Sequence, residues 1–116
     1  FRGVRVRMLV SKWEHTHPTM ERFLRSLNAL QNIEVRWFVV PPLEGLDPVP
    51  YTRVNHAKFM VTDDEASITT NNWSADYFLD TGGITVVVKH DGFASRLRQA
   101  FERDWESAYS HPVFIK

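Results

Sequence analysis

The stretch "IEVRWFVV", Ile33 to Val40, alternates apolar and charged residues for four positions and then runs apolar for four, which reads as a β-strand. Upstream of it, Met20, Phe23, Leu24, Leu27 and Leu30 recur at helical spacing with charges between them. Pro18 suits the first position of that helix, where its missing N–H is not needed. Farther upstream, Val4, Val6, Met8 and Val10 alternate with Arg5, Arg7 and Leu9, a strand with one buried face. Strand, helix, strand is the order of a parallel crossover unit, because parallel neighbours need a long connection. The spacing therefore predicts a sheet at the centre of the fold.

Downstream, "PPLEGLDPVP" holds four of the six prolines, and the span 41–53 is expected to be a loop, an excursion near a site. Val54 to Thr62 reads as a strand, "EAS" as a turn, Ile68 and its neighbours as a short strand, and "NNWSADYF" as a loop with aromatic anchors. "GGITVVVKH" reads as a strand after a double glycine. Ala94, Leu97, Phe101, Trp105 and Ala108 mark a final helix with Arg96, Arg98, Glu102 and Arg103 on its wet side. The class expected is mixed α/β, a central mixed sheet flanked by helices, with His56 near its centre.

Composition sets the bounds. A chain of 116 residues has room for one domain, 1–116, and 43% hydrophobic residues with eight Phe, four Trp and three Tyr are those of a folded protein. Formal charge is zero, so recognition of phosphate has to come from a few placed groups and not from a delocalised basic field. The lack of cysteine excludes a disulfide framework and thiolate metal sites. There is no initiator Met, no signal peptide and no apolar run near membrane-spanning length, the longest being Ile84 to Val88. The chain reads as an excised domain.

Within "VNHAKFMVTDD", Val54 to Asp64, strand alternation sends His56, Lys58 and Met60 one way and Ala57, Phe59 and Val61 the other. A lone histidine in an apolar strand is most often structural. A lysine beside it on an inward face needs an anion, because a buried ammonium loses its hydration. A bound phosphate would supply one; Asp63 as a structural partner would supply another, and local sequence leaves both open. "ITTNNWS" adds hydroxyl and amide donors: Thr70 and Asn72 come beside His56 if the two strands pair, and otherwise belong to an ordinary polar loop. Asn72-Trp73-Ser74 also matches a glycosylation acceptor, expected to be unmodified if Asn72 lines a site.

His56, Lys58 and Asp63 match the H-x-K-x4-D signature, and Thr70 with Asn72 fits the G-[ST]-x-N element that follows it; in these the chain resembles the phospholipase D superfamily. The segments "RVRMLVSKW", "PTMERFLRSL", "FVVP", "RVNHAKFMVTD", "NWSADYF" and "ERDWESAYSH" are similar, in order, to the lysosomal branch that contains phospholipase D family members three and four. The chain departs from the pattern at Thr69, where the family has glycine, and at Lys12, where the branch has cysteine.

The resemblance implies a metal-independent phosphodiesterase that forms a phosphohistidine and uses no cofactor, and it makes this chain the C-terminal lobe of a two-lobed enzyme. One histidine of such an enzyme attacks phosphorus and the other protonates the leaving oxygen. His56 is then the general acid and base, Lys58 holds the non-bridging oxygens with Thr70 and Asn72, and Asp63 supports the motif. Asp80 is the candidate for orienting the histidine, against a role as a loop cap, and Trp73 and Tyr77 are candidates for stacking on a base. Gly82 and Gly83 either permit close backbone approach or merely shape a turn. The implied substrate is single-stranded DNA or RNA digested from the 5′ end in a lysosomal or ER–Golgi lumen, the alternatives being phospholipid transfer and an inactive homologue. The implied partners are the N-terminal lobe of the same parent chain or a second copy forming a homodimer.

Overall fold

The computed structural model describes residues 3–113. Its elements are β1 (Val6–Ser11), α1 (Pro18–Asn28), β2 (Ile33–Phe38), β3 (Phe59–Val61), β4 (Glu65–Thr69), α2 (Ala75–Leu79), β5 (Thr85–Lys89), α3 (Asp91–Trp105) and β6 (Ser110–Pro112). The class is mixed α/β, and the strands hydrogen-bond as two three-stranded sheets, β1-β2-β6 and β3-β4-β5, where the sequence reading drew one. The chain divides into one unit of Phe1–Asn55 with Asp104–Lys116 and another of His56–Arg103. No helix among the described residues is long and apolar enough to cross a membrane.

In the first unit β1 and β2 pair in parallel, from Val6 opposite Ile33 to Ser11 opposite Phe38, and α1 supplies the crossover. Leu24 of α1 is buried with Val35, Trp37 and Val113, and Met8, Val10, Met20 and Leu27 pack around them. Met20, Leu24 and Leu27 follow one another on a single helix face; Phe23 (58% exposed) and Leu30 (42%) lie off it, so the apolar stripe is narrower than the spacing predicts. The helix starts at the His17 imidazole, which accepts the Thr19 N–H at 3.3 Å, with Pro18 in the first turn. It ends with Asn28, whose Oδ1 accepts the Val35 N–H at 2.7 Å and ties the last turn to the middle of β2.

The charged alternation of β1 and β2 is not simply solvated. The guanidinium of Arg36 lies 4.3 Å from the ring centroid of Trp105 and that of Arg7 lies 5.4 Å from it, while Arg36 also pairs with Glu34 at 2.8 Å. Cation–π contact and the aliphatic stems cover an indole that is only 5% exposed. β6 pairs antiparallel with β2. Its three residues are too few to show a period, and it is absent from the elements expected above.

The second unit corrects three expectations. "EAS" is not a turn but opens β4, and the turn falls at Asp63 and Asp64, two better turn formers. Thr62 N–H to the Glu65 carbonyl (2.8 Å) and Glu65 N–H to the Thr62 hydroxyl (3.2 Å) close it. The strand expected over Val54 to Thr62 shrinks to Phe59–Val61, so His56 and Lys58 precede it and His56 does not stand in mid-sheet. One ladder bond reaches past the strand, from the Thr69 N–H to the Lys58 carbonyl at 3.0 Å, while the Thr70 N–H bonds on the other side of β4 to the Ile84 carbonyl, also at 3.0 Å. "NNWSADYF", read as a loop, holds all but the last residue of α2, one short helix that follows Ser74.

Arg98, placed on the wet side of the last helix by its spacing, instead donates to the carbonyls of Thr62 (2.7 Å) and Asp63 (2.9 Å). The antiparallel register puts Phe59, Val61, Ala66, Ile68, Val86 and Val88 on one face of the sheet and Met60, Ser67, Thr69, Thr85 and Val87 on the other. Ala66 is buried, but Met60 (48%), Val86 (55%) and Val87 (62%) are largely exposed.

Candidate active site

Lys58 is delivered by the segment that leads into β3, and Thr69 lies across from it, joined through its amide. The Thr85 hydroxyl donates to that of Thr69 at 2.9 Å, so both threonines share one face of the sheet. The Lys58 Nζ donates to the His56 carbonyl at 2.8 Å. Partial burial costs the ammonium hydration and lowers its pKa from the ordinary 10.5. The ion pairs of the described residues include neither Lys58 nor Asp63. Of the two anions weighed for Lys58 from the sequence, the internal carboxylate does not take the place; a neutral carbonyl holds the cation.

His56 is exposed, and so is Asp63 at the tip of the β3–β4 turn, where its carbonyl is held by Arg98. β3 and β4 do pair, as the expectation for Thr70 and Asn72 required, but the register run on by three residues sets Asn71 opposite His56. Thr70 accepts the Ile84 N–H at 3.0 Å, and Asn72 is half-buried. Trp73 is 60% exposed, whereas Tyr77 is half-buried on α2 with its carbonyl accepting Asn71 Nδ2 at 3.3 Å. Asp80 ends α2, its backbone N–H bonded to the Asp76 carbonyl, and among the described residues no hydrogen bond joins its carboxylate to the His56 ring. The structure thus brings together Lys58, Thr69, Thr85, Asn71 and Gly83 around the paired strands, and leaves Asp80 and Trp73 outside that network.

Asn71, Thr85 and Arg98 had no place among the site residues expected from the sequence. Asn71 is the hub between Thr69, Thr70 and Tyr77: its N–H donates to the Thr69 hydroxyl at 3.1 Å, and its Oδ1 accepts the Thr70 hydroxyl at 3.3 Å. Arg98 is distant in sequence and carried no motif. Of the glycine pair, Gly83 is needed for close approach by Asn71, while Gly82 has open space around its α-carbon. Thr69, the departure from the family pattern, donates to the Ile84 carbonyl at 3.3 Å and so joins the end of β4 to the residue before β5, a bond glycine has no side chain to make. Among the described residues no three His, Asp or Glu side chains are grouped as metal ligands.

The arrangement is a lysine held by a neutral carbonyl, with a histidine two residues before it in the chain and threonine hydroxyls on the paired strands. The chain belongs to the phospholipase D-like family: the family model described as cardiolipin synthase, PLD-like domain, matches residues 1–105. It is 52% identical to phospholipase D Z of Dictyostelium discoideum over 112 residues, covering 97% of this chain and 26% of that protein. It is 50% identical to phospholipase D Y of the same organism, with the same coverage, and 48% identical to the 5'-3' exonuclease PLD3 of Rattus norvegicus over 119 residues, covering 95% of this chain and 24% of that protein. The chain spans about a quarter of the length of the curated relatives it matches.

Proposed function

We propose that the chain is the C-terminal catalytic lobe of a metal-independent phosphodiesterase that digests single-stranded DNA or RNA from the 5′ end. The observation that carries the reading is Lys58, whose ammonium forms no ion pair among the described residues and can exchange a carbonyl for the non-bridging oxygens of a phosphodiester. Charge builds on those oxygens in the transition state, where a fixed cation contributes most. His56, exposed beside it in the chain, protonates the leaving oxygen and then activates water, while a histidine of a second H-x-K motif attacks phosphorus. Thr70 and Asn72 contribute donors to the same phosphate, and Asp63 supports the motif at the turn. Relatives named as 5'-3' exonucleases support the nucleic-acid substrate, and their greater length supports a second lobe outside these residues. The compartment that goes with that branch is the lysosomal or ER–Golgi lumen.

Phospholipid is the second reading, favoured by the relatives named as phospholipases D. The test uses the full-length protein with chelator present at mildly acidic pH. Release of nucleotides from a 5′-hydroxyl single-stranded oligonucleotide by wild type, and its loss in His56→Ala, is the expected result. No release by folded wild type, together with transfer on phospholipid vesicles, would replace the nucleic-acid reading; no turnover of either substrate would mark an inactive homologue.

A further inference from the structure

Three aromatic rings from two loops meet on the surface of the first unit. His15 and Tyr51 stack with centroids 5.0 Å apart and planes 24° apart, and Trp13 packs edge-on at 4.6 Å from His15 and 6.1 Å from Tyr51. Rings gather in this way in a core, where water is excluded; here Tyr51 is 72% exposed and the His15 side chain 48%. Tyr51 also holds φ at 61° and Arg53 at 59°, a left-handed backbone that is strained for a residue bearing a side chain. The surroundings maintain it. Arg53 Nε donates to the Pro41 carbonyl at 2.9 Å and the Thr52 hydroxyl to the Val49 carbonyl at 2.7 Å. On the other loop, the Trp13 N–H is closed onto the Thr16 hydroxyl at 2.9 Å. The platform is therefore built before any ligand arrives, which reduces the ordering entropy that binding would otherwise cost.

We propose that the His15–Tyr51 stack, edged by Trp13, is a stacking subsite for a base of single-stranded nucleic acid; this rests on the phosphodiesterase reading above. The geometry selects among ligands. Rings in direct contact leave no gap between them to enclose a trimethylammonium group, whereas a flat ligand extends the stack over the open face of Tyr51. Glu14 Oε1 lies 3.2 Å from His15 Nε2, and its charge turns phosphate away from that edge while leaving the ring faces to an uncharged planar group. With a formal charge of zero, a chain that holds a nucleic-acid strand has little delocalised field to do it with, and stacking then carries more of the affinity. Tyr51 stands five residues before His56 in the chain.

The test uses the full-length protein and two phosphorothioate probes of equal length that resist hydrolysis, an oligothymidylate and the same backbone without bases. Tyr51→Ala and Tyr51→Leu are expected to weaken the oligothymidylate by about tenfold and to leave the abasic probe unchanged, and Tyr51→Phe to bind as wild type does. Leucine keeps the apolar contact with His15 and removes only the aromatic face, so a general loosening of the loop is separated from loss of stacking. Equal weakening of both probes would overturn the subsite in favour of a structural ring cluster. Unchanged binding of oligothymidylate by both variants would overturn it too, with the nucleic-acid reading intact. If folded wild type binds neither probe, that reading falls and the subsite falls with it.

Discussion

A Cβ placed on Gly83 would lie 1.4 Å from Oδ1 of Asn71 and 2.9 Å from the Thr70 hydroxyl oxygen. The asparagine amide occupies the space that any other residue at 83 would claim. Gly83→Ala is therefore expected to destabilise the chain by about 1–3 kcal/mol, the usual cost of overpacking, because Asn71 must leave its bonds to Thr70 and Tyr77. Gly82→Ala, with nothing within 4 Å, is the control and should change little. Adding Asn71→Gly to Gly83→Ala should recover part of the loss, and strict additivity in a double-mutant cycle would refute the clash.

Lys58 gives a pH signature. Its folded-state pKa is lowered by loss of hydration, while the unfolded chain keeps the proton up to about 10.5. In the window between the folded value and 10.5 the unfolded state binds more protons, so stability should rise with pH there, the full penalty being present below it. Urea unfolding at a series of alkaline pH values should show that rise in wild type and lose its Lys58 component in Lys58→Met. An unchanged slope in the variant would remove the desolvation argument.

The Arg98 clamp holds two carbonyls at the turn that carries Asp63. Hydrogen bonds from charged groups contribute about 1.5–3 kcal/mol each at best, and partial exposure lowers that, so Arg98→Met is expected to cost about 1–2 kcal/mol in chemical denaturation. Amide exchange at Glu65 and Thr62 should quicken in the same variant, whereas Arg96→Met, on an exposed position, should leave it alone.

Both longer helices begin at a histidine: Nδ1 of His17 accepts the Thr19 N–H at 3.3 Å, and Nδ1 of His90 accepts the Phe93 N–H, also at 3.3 Å. Asparagine makes the same bond from a better capping side chain. His90→Asn is expected to hold or raise the thermal midpoint, and His90→Ala to lower stability by about 0.5–1 kcal/mol. A fall with asparagine equal to the fall with alanine would show that the imidazole has some other duty there.

Leu24 is 2% exposed at the centre of the first unit. Leu24→Ala should cost about 2–5 kcal/mol, the transfer term plus the cavity left against Val35 and Trp37, while Phe23→Ala on the neighbouring exposed position should cost far less. Comparable losses would mean that Phe23 is buried in solution.

What could be read from the residues was whatever repeats. The apolar periods of α1, β1 and β2 are long enough to declare themselves, and the crossover order followed from them. His56, Lys58 and Asp63 were legible as a signature because their spacing is fixed by the short segment that carries them. The turn at Asp63 and Asp64 was missed because "EAS" looks polar and short, while the ladder that makes it a strand depends on Thr69 and Val88, which only pairing reveals. Arg98 and Asn71 were invisible for the same reason: each acts through backbone carbonyls or side chains brought near by the fold, and no local pattern marks such a meeting. Arg7 and Arg36 read as a wet face because their spacing is right for one; the indole beneath them comes from more than 60 residues away in the chain, beyond any local period.

β5 has another consequence for whoever handles this protein. Among the described residues it pairs on one side only, and valines 86 and 87 are open on opposite faces. "ITVVV" is uncharged, free of proline and rich in β-branched residues, the make-up of a segment that self-associates into cross-β aggregates when left uncovered. Lys89 and Asp91 at one end act as gatekeepers, but the glycines at the other offer no charge. In this piece alone, that open edge and those valines are the surface on which one copy would add its strand to the next.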